Sequence, residues 1–180
     1  MQNKTAAKKY RSSTFQLAAA TIFAALVAAI TYVSAIFIPA SSGGFFNLGE
    51  VLIYVAALLL GPFAGLIAGA GAVIADILIA PSYALATLLI KAAEGFLVGY
   101  ITKKLYKKIK SLTLCASIAI LTGGATMITG YFTYETIIWG YSVALGCLPF
   151  NIIQMVTGLI IAVPIMHTVL RVFPQLKNYL

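Results

Sequence analysis

Residues 14–38, TFQLAAATIFAALVAAITYVSAIFI, run for 25 residues without a charge. As a helix they would extend roughly 37 Å at about 1.5 Å per residue, enough to cross a hydrocarbon core of about 30 Å. The run also exceeds the ~7–15 residue apolar core of a secretory signal, so it is predicted to be a retained first span despite the basic residues before it. The rest of the chain agrees. Of 180 residues, 62% are hydrophobic and 9% charged, against roughly 25% charged in ordinary soluble domains. A water-soluble globule is excluded.

Further apolar segments cover 45–60, 63–80, 84–102, 112–133 and 148–170. With 14–38 they predict an all-α membrane protein: a single domain over 1–180 built as a bundle of six transmembrane helices. The 45–60 segment is the shortest, about 24 Å as a helix, with Gly61-Pro62 as its turn. A re-entrant pair over 45–80 would give the same parity. No internal repeat is visible.

The formal net charge is +8, from twelve Lys/Arg against four Asp/Glu. Eleven of the bases fall in three clusters: Lys4, Lys8, Lys9 and Arg11; Lys103, Lys104, Lys107, Lys108 and Lys110; Arg171 and Lys177. The connectors near 39–44, 81–83 and 134–146 have none. By the positive-inside rule the clusters, and with them both termini, are cytoplasmic. Topology thus accounts for the charge, and no nucleic-acid partner is expected. Cys115 and Cys147 fall near opposite ends of their spans, too far apart for a disulfide.

The acids Glu50, Asp76, Glu94 and Glu135 are the only four, and each lies in or at the edge of an apolar segment. An ionisable group there is costly unless it faces a partner or a wet cavity, so such positions are functional candidates. Counting from the proposed outer ends puts Glu50, Asp76 and Glu135 in the outer third. Lys91 lies about 10 Å deep, with Glu94 one turn below. Asn151 and Gln154 share a face of the last span. The plainer reading is an i,i+3 ion pair at Lys91 and Glu94, with the other polar groups holding helices together. Convergence of these groups on the outer half predicts an outward-opening polar pocket. His167, one turn from Arg171, reads as an interfacial or packing residue.

Aromatic residues gather at both rims, as interfacial belts require. Tyr131 and Tyr134, beside Glu135, are set apart as possible stacking partners for a flat ligand. Ala20, Ala24 and Ala28 form an i,i+4,i+8 stripe that suits close helix approach, either inside the bundle or, if it faces lipid, with a membrane partner. Gly65 and Gly69 form a shorter strip. No H-E-x-x-H, G-x-S-x-G or Walker A motif occurs and no Cys/His metal spacing, so neither an enzyme nor a metal site is expected.

The order of a basic N-terminus, an alanine-striped first span, Phe46-Asn47-Leu48-Gly49-Glu50, Leu60-Gly61-Pro62-Phe63-Ala64-Gly65, Lys91-x-x-Glu94-Gly95 and Pro149-Phe150-Asn151-Ile152-Ile153-Gln154 resembles the S components of energy-coupling factor (ECF) transporters, in particular the riboflavin type. The resemblance covers nearly the whole chain. It implies a substrate-binding subunit that captures a vitamin-like molecule from outside and associates with a transmembrane coupling (T) subunit and two cytoplasmic ATPases. ATP is then used by the partners, and no cofactor of its own is expected. On this resemblance Ala20, Ala24 and Ala28 match the motif that docks on the coupling subunit, and Asn151 matches a ligand-contacting asparagine. Gln154 stands where riboflavin-binding members carry lysine, which leaves riboflavin and a pyridine or pyrimidine vitamin both open. Asn47, Glu50, Asp76, Lys91, Glu94, Tyr131, Glu135, Asn151 and Gln154 are the expected substrate-binding residues. The alternative is a self-sufficient proton-coupled carrier using Glu94 and Asp76.

Overall fold

The computed structural model describes the backbone of residues 2–37 and 46–179 and the side chains of 14–36 and 46–177. The expected connector at 39–44 and the predicted start of the second segment at Phe45 lie outside these. Six α-helices follow in order: α1 Gln2–Phe37, α2 Gly49–Leu60, α3 Pro62–Ile79, α4 Ala84–Ile109, α5 Leu112–Trp139 and α6 Tyr141–Val172. Short 3-10 turns at Pro81–Tyr83 and Pro174–Tyr179 complete the chain. Five of the helices are long and apolar enough to cross a membrane; α2 is not.

At 12 residues, α2 is about 18 Å long, shorter than the expected 45–60 segment, whose first residue lies outside the described ones. Its role is central: every residue from Gly49 to Leu60 except Leu52 is buried, and it packs against α1, α3, α4 and α6. The large exposed hydrophobics, such as Ile22, Phe63, Leu78, Leu85, Ile137 and Ile160, belong to the other helices. Those five therefore present apolar side chains outward, and α2 is the helix they enclose.

Helix extents differ from expectation at three further places. The first helix begins at Gln2, so the N-terminal bases ride on a helical extension of the first span. The fourth continues through Lys103, Lys104, Lys107 and Lys108 to Ile109 and ends at Lys110 in the left-handed region, φ 61°. The basic cluster is thus mostly the last turns of a helix, where cations are favoured by the exposed carbonyls. The predicted connector at 134–146 shrinks to Gly140, φ 94°, between α5 and α6. Glycine tolerates that dihedral at little cost. Pro149, predicted at the entry of the last span, consequently lies inside α6.

Small residues set the closest contacts. A Cβ on Gly69 would run into the backbone of Lys91 and Ala92, and Gly65 and Gly95 oppose each other backbone to backbone. One turn on, a Cβ at Gly99 would stand 2.6 Å from the Gly61 carbonyl carbon. The helices α3 and α4 therefore meet through glycines at four-residue spacing, where short side chains let backbones touch. On the other side of α3, a Cβ at Gly71 would come 2.7 Å from the Ala24 Cα. Ala20 is 1% exposed and belongs to the core around Val55 and Leu59. Ala28 is half-buried. The alanine stripe thus faces mainly inward, the first of the two settings expected for it. The exposed flank of α1 carries Ala18, Ile22, Ala25 and Ala29 instead.

Candidate functional site

The site grows from the start of α2. Phe46 to Leu48 are not helical, and bare backbone polar groups inside a membrane must find partners in the protein. Side chains supply them. The Asn47 N–H donates to Gln154 Oε1 at 3.0 Å, and the Leu48 N–H to Ser34 Oγ at 3.2 Å. Asn47 Oδ1 accepts from the Gly49 N–H at 2.7 Å and from the Thr31 hydroxyl at 2.9 Å. Asn47 therefore ties α1 to the first turn of α2. Gly49 leaves room for this, since a Cβ there would collide with Thr31 and come 2.8 Å from Asn47 Oδ1.

The next residue, Glu50, enters the core. Lys91 Nζ bonds its Oε2 and also reaches Glu94 Oε2 at 3.3 Å. The Gln154 amide donates to the same Glu50 oxygen at 3.3 Å, and the Tyr54 hydroxyl donates to Glu94 Oε1 at 2.7 Å. Residues from α2, α4 and α6 thus close around a single ammonium group. Lys91, Glu50 and Glu94 are at most 1% exposed. Burying charges to this degree is tolerable only where they are paired and hydrogen-bonded. Glu50 Oε1 nonetheless has no hydrogen-bond donor.

A second group adjoins the first through α4. Thr87, Lys91 and Glu94 share one face at i, i+4 and i+7. The Thr87 hydroxyl bonds the Tyr131 hydroxyl at 2.9 Å and interacts with the buried Asp76 carboxyl. Lys91 Nζ lies 5.6 Å from the Tyr131 ring centre. Beyond Tyr131, toward the ends of α3 and α5, the Tyr83 hydroxyl stands 3.5 Å from Glu135 Oε1, with Glu135 itself 4% exposed. The rings of Tyr131 and Tyr134 lie 6.4 and 5.3 Å from that of Tyr83.

The expected residues therefore divide. Asn47, Glu50, Lys91, Glu94 and Gln154 form one hydrogen-bonded network. Asp76 and Tyr131 border it, and Glu135 sits in a neighbouring aromatic corner. Asn151 is half-buried, one turn from Gln154, and no hydrogen bond among the described residues joins it to the network. Tyr54, Thr31 and Thr87 belong to the site but were not singled out from sequence. Two of them carried a usable signal, since Tyr54 is i+4 from Glu50 and Thr87 is i−4 from Lys91. Hydropathy passes over Thr and Tyr because they score as nearly apolar.

All of this lies at the end of the bundle away from the lysines. At the lysine-rich end, His167 is exposed and bonded to Thr113 at 2.8 Å. It lines a cavity of about 410 Å³ with Tyr106, Leu112, Leu170, Arg171 and Lys177. There Lys104 and Lys110 lie over the rings of Tyr100 and Tyr106, at 5.6 and 5.8 Å.

Residues 11–171 match the family model described as "ECF-type riboflavin transporter, S component". A protein of Pyrococcus woesei, described as "Uncharacterized protein in gap 3'region", is 36% identical over 125 residues, which are 69% of this chain and 80% of the relative.

Proposed function

Because the chain belongs to the family of ECF-type riboflavin transporter S components, we propose that it captures a vitamin or vitamin precursor, riboflavin or a pyridine or pyrimidine vitamin, from outside the cell. The single observation behind this reading is the buried network of Glu50, Lys91, Glu94 and Gln154, held within an otherwise apolar bundle. Polar groups gathered so expensively in a membrane mark a substrate site, and a few polar groups among aromatic and apolar walls suit a small ring-bearing ligand. The positive-inside rule assigns the lysine-rich end and both termini to the cytoplasm, which directs the network outward. Six crossings fit that parity, with α2 and the residues before it as the second.

Delivery then requires partners: a transmembrane coupling subunit and two cytoplasmic ATPases, with α1 as the contacting helix through its outer flank of Ala18, Ala25 and Ala29. The protein itself carries out no chemistry in this scheme. The test is mass spectrometry of the small molecule that co-purifies with the protein, followed by uptake in vesicles with and without the coupling subunit and ATPases. A bound vitamin and ATP-dependent uptake that falls with Asn151→Ala are expected. Uptake driven by a pH gradient with no ATPase present would establish the self-sufficient carrier instead.

A further inference from the structure

The aromatic corner around Glu135 has a chemistry of its own, distinct from the Lys91 network. Glu135 lies about one turn before the end of α5, buried at 4% exposure; the Tyr83 hydroxyl and the Cys147 thiol bond its carboxyl, but its Oε2 has no hydrogen-bond partner. A buried acceptor without a donor is costly and calls for a specific explanation. The one lysine inside the bundle, Lys91, is engaged by Glu50 and Glu94.

Tyr83 contacts this carboxylate, Tyr131 and Tyr134 pack around the Tyr83 ring, and all three hydroxyls are committed. Tyr83 points its hydroxyl at Glu135 Oε1, Tyr131 is bonded to Thr87, and Tyr134 donates to the Ser82 carbonyl. These bonds fix the rings; Lys91 already lies over the face of Tyr131, so the half-buried Tyr83 and Tyr134 rings are the faces left for a further cation. The rings are inclined rather than stacked, Tyr83 to Tyr131 at 47° and Tyr83 to Tyr134 at 59°, which forms a corner of π-faces. Such faces carry negative quadrupole potential and attract a cation within about 6 Å, more strongly when water is excluded. An ionised carboxylate is an acceptor only. Rings and carboxylate thus select the same partner.

We propose that Tyr83, Tyr134 and Glu135 form a subsite for a positively charged nitrogen of the substrate, either a protonated amine or an N-alkylated heteroaromatic ring, with Tyr131 dividing it from Lys91. This rests on reading the site as a substrate pocket and narrows the substrate class: the ligand is a heterocycle bearing a cationic group rather than a neutral one.

The experiment measures binding to the purified full chain in detergent with matched pairs that differ in charge: 1-methylnicotinamide, a ring-methylated pyridinium cation, against nicotinamide, and pyridoxamine against pyridoxine, with riboflavin as a neutral reference. The cationic member of a pair is expected to bind at least tenfold tighter to the wild type. Glu135→Gln should remove about tenfold of that preference, and so should Tyr83→Leu if the glutamine variant does not fold. The wild-type comparison needs no variant. Equal or tighter binding of the neutral members, or a preference that survives in the folded variants, overturns the cationic subsite. Tight riboflavin binding without that preference overturns it while leaving the substrate-pocket reading intact. No binding by any probe and no co-purifying small molecule overturns both.

Discussion

Replacing Lys91 by methionine preserves most of the side-chain volume and removes the charge that joins Glu50 and Glu94. The size of the effect follows from burial. All three side chains are at most 1% exposed, so the ~0.2–1 kcal/mol of a surface ion pair does not apply. Removing one partner of a buried, hydrogen-bonded group costs about 3–5 kcal/mol, because the remaining charge stays uncompensated. For a chain of this size about 2–4 °C of melting temperature corresponds to each kcal/mol, giving a fall of roughly 6–20 °C. The two buried thiols, Cys115 and Cys147, provide the assay: a thiol-reactive dye reports their exposure on heating. Glu50→Gln alone should also destabilise, but Lys91→Met with Glu50→Gln should be less harmful than the sum by at least about 1 kcal/mol, as residues in one network are coupled. A Lys91→Met protein that melts within about 2 °C of the wild type, or effects that add within about 0.5 kcal/mol, would refute the network as described.

Tyr54→Phe removes the 2.7 Å bond to Glu94 and should cost about 1–3 kcal/mol in the same melting assay. Gly69→Leu places a side chain where the Lys91–Ala92 backbone runs and should lower the yield of folded protein sharply. Gly140→Ala, with nothing within 4 Å but φ +94° and ψ 159°, a conformation essentially confined to glycine, should cost about 1–3 kcal/mol in melting. Ala20→Leu overfills the core and should destabilise by about 1–3 kcal/mol. Ala25→Leu, on the exposed flank, should leave melting unchanged while lowering recovery of the coupling subunit in a pull-down.

The membrane class, the helical architecture and the end of the bundle to which the lysines belong were legible along the chain. Each follows from a cost counted residue by residue: a charge in hydrocarbon is expensive wherever its neighbours in space lie. The same argument picked out Glu50, Asp76, Lys91, Glu94 and Glu135 without any contact being known. Helix ends were less legible. Lys103 to Lys108 prolong α4 past the apolar run, and Glu135 lies within α5 although the hydropathic segment stops at 133, because backbone hydrogen bonding continues where hydropathy ends.

Tertiary structure alone decided which of these groups meet. Lys91 bonds Glu50, 41 residues away, as well as its helical neighbour Glu94. It also made α2 the enclosed helix and turned the alanine stripe of α1 inward toward Gly71. Those outcomes depend on how closely backbones approach at Gly65, Gly69 and Gly95, and on where Asn47 anchors the irregular residues before α2. Hydropathy measures the transfer of a side chain out of water; it carries no record of its partners, and partnership is what separates Lys91 in its network from Glu135 with an oxygen still unbonded.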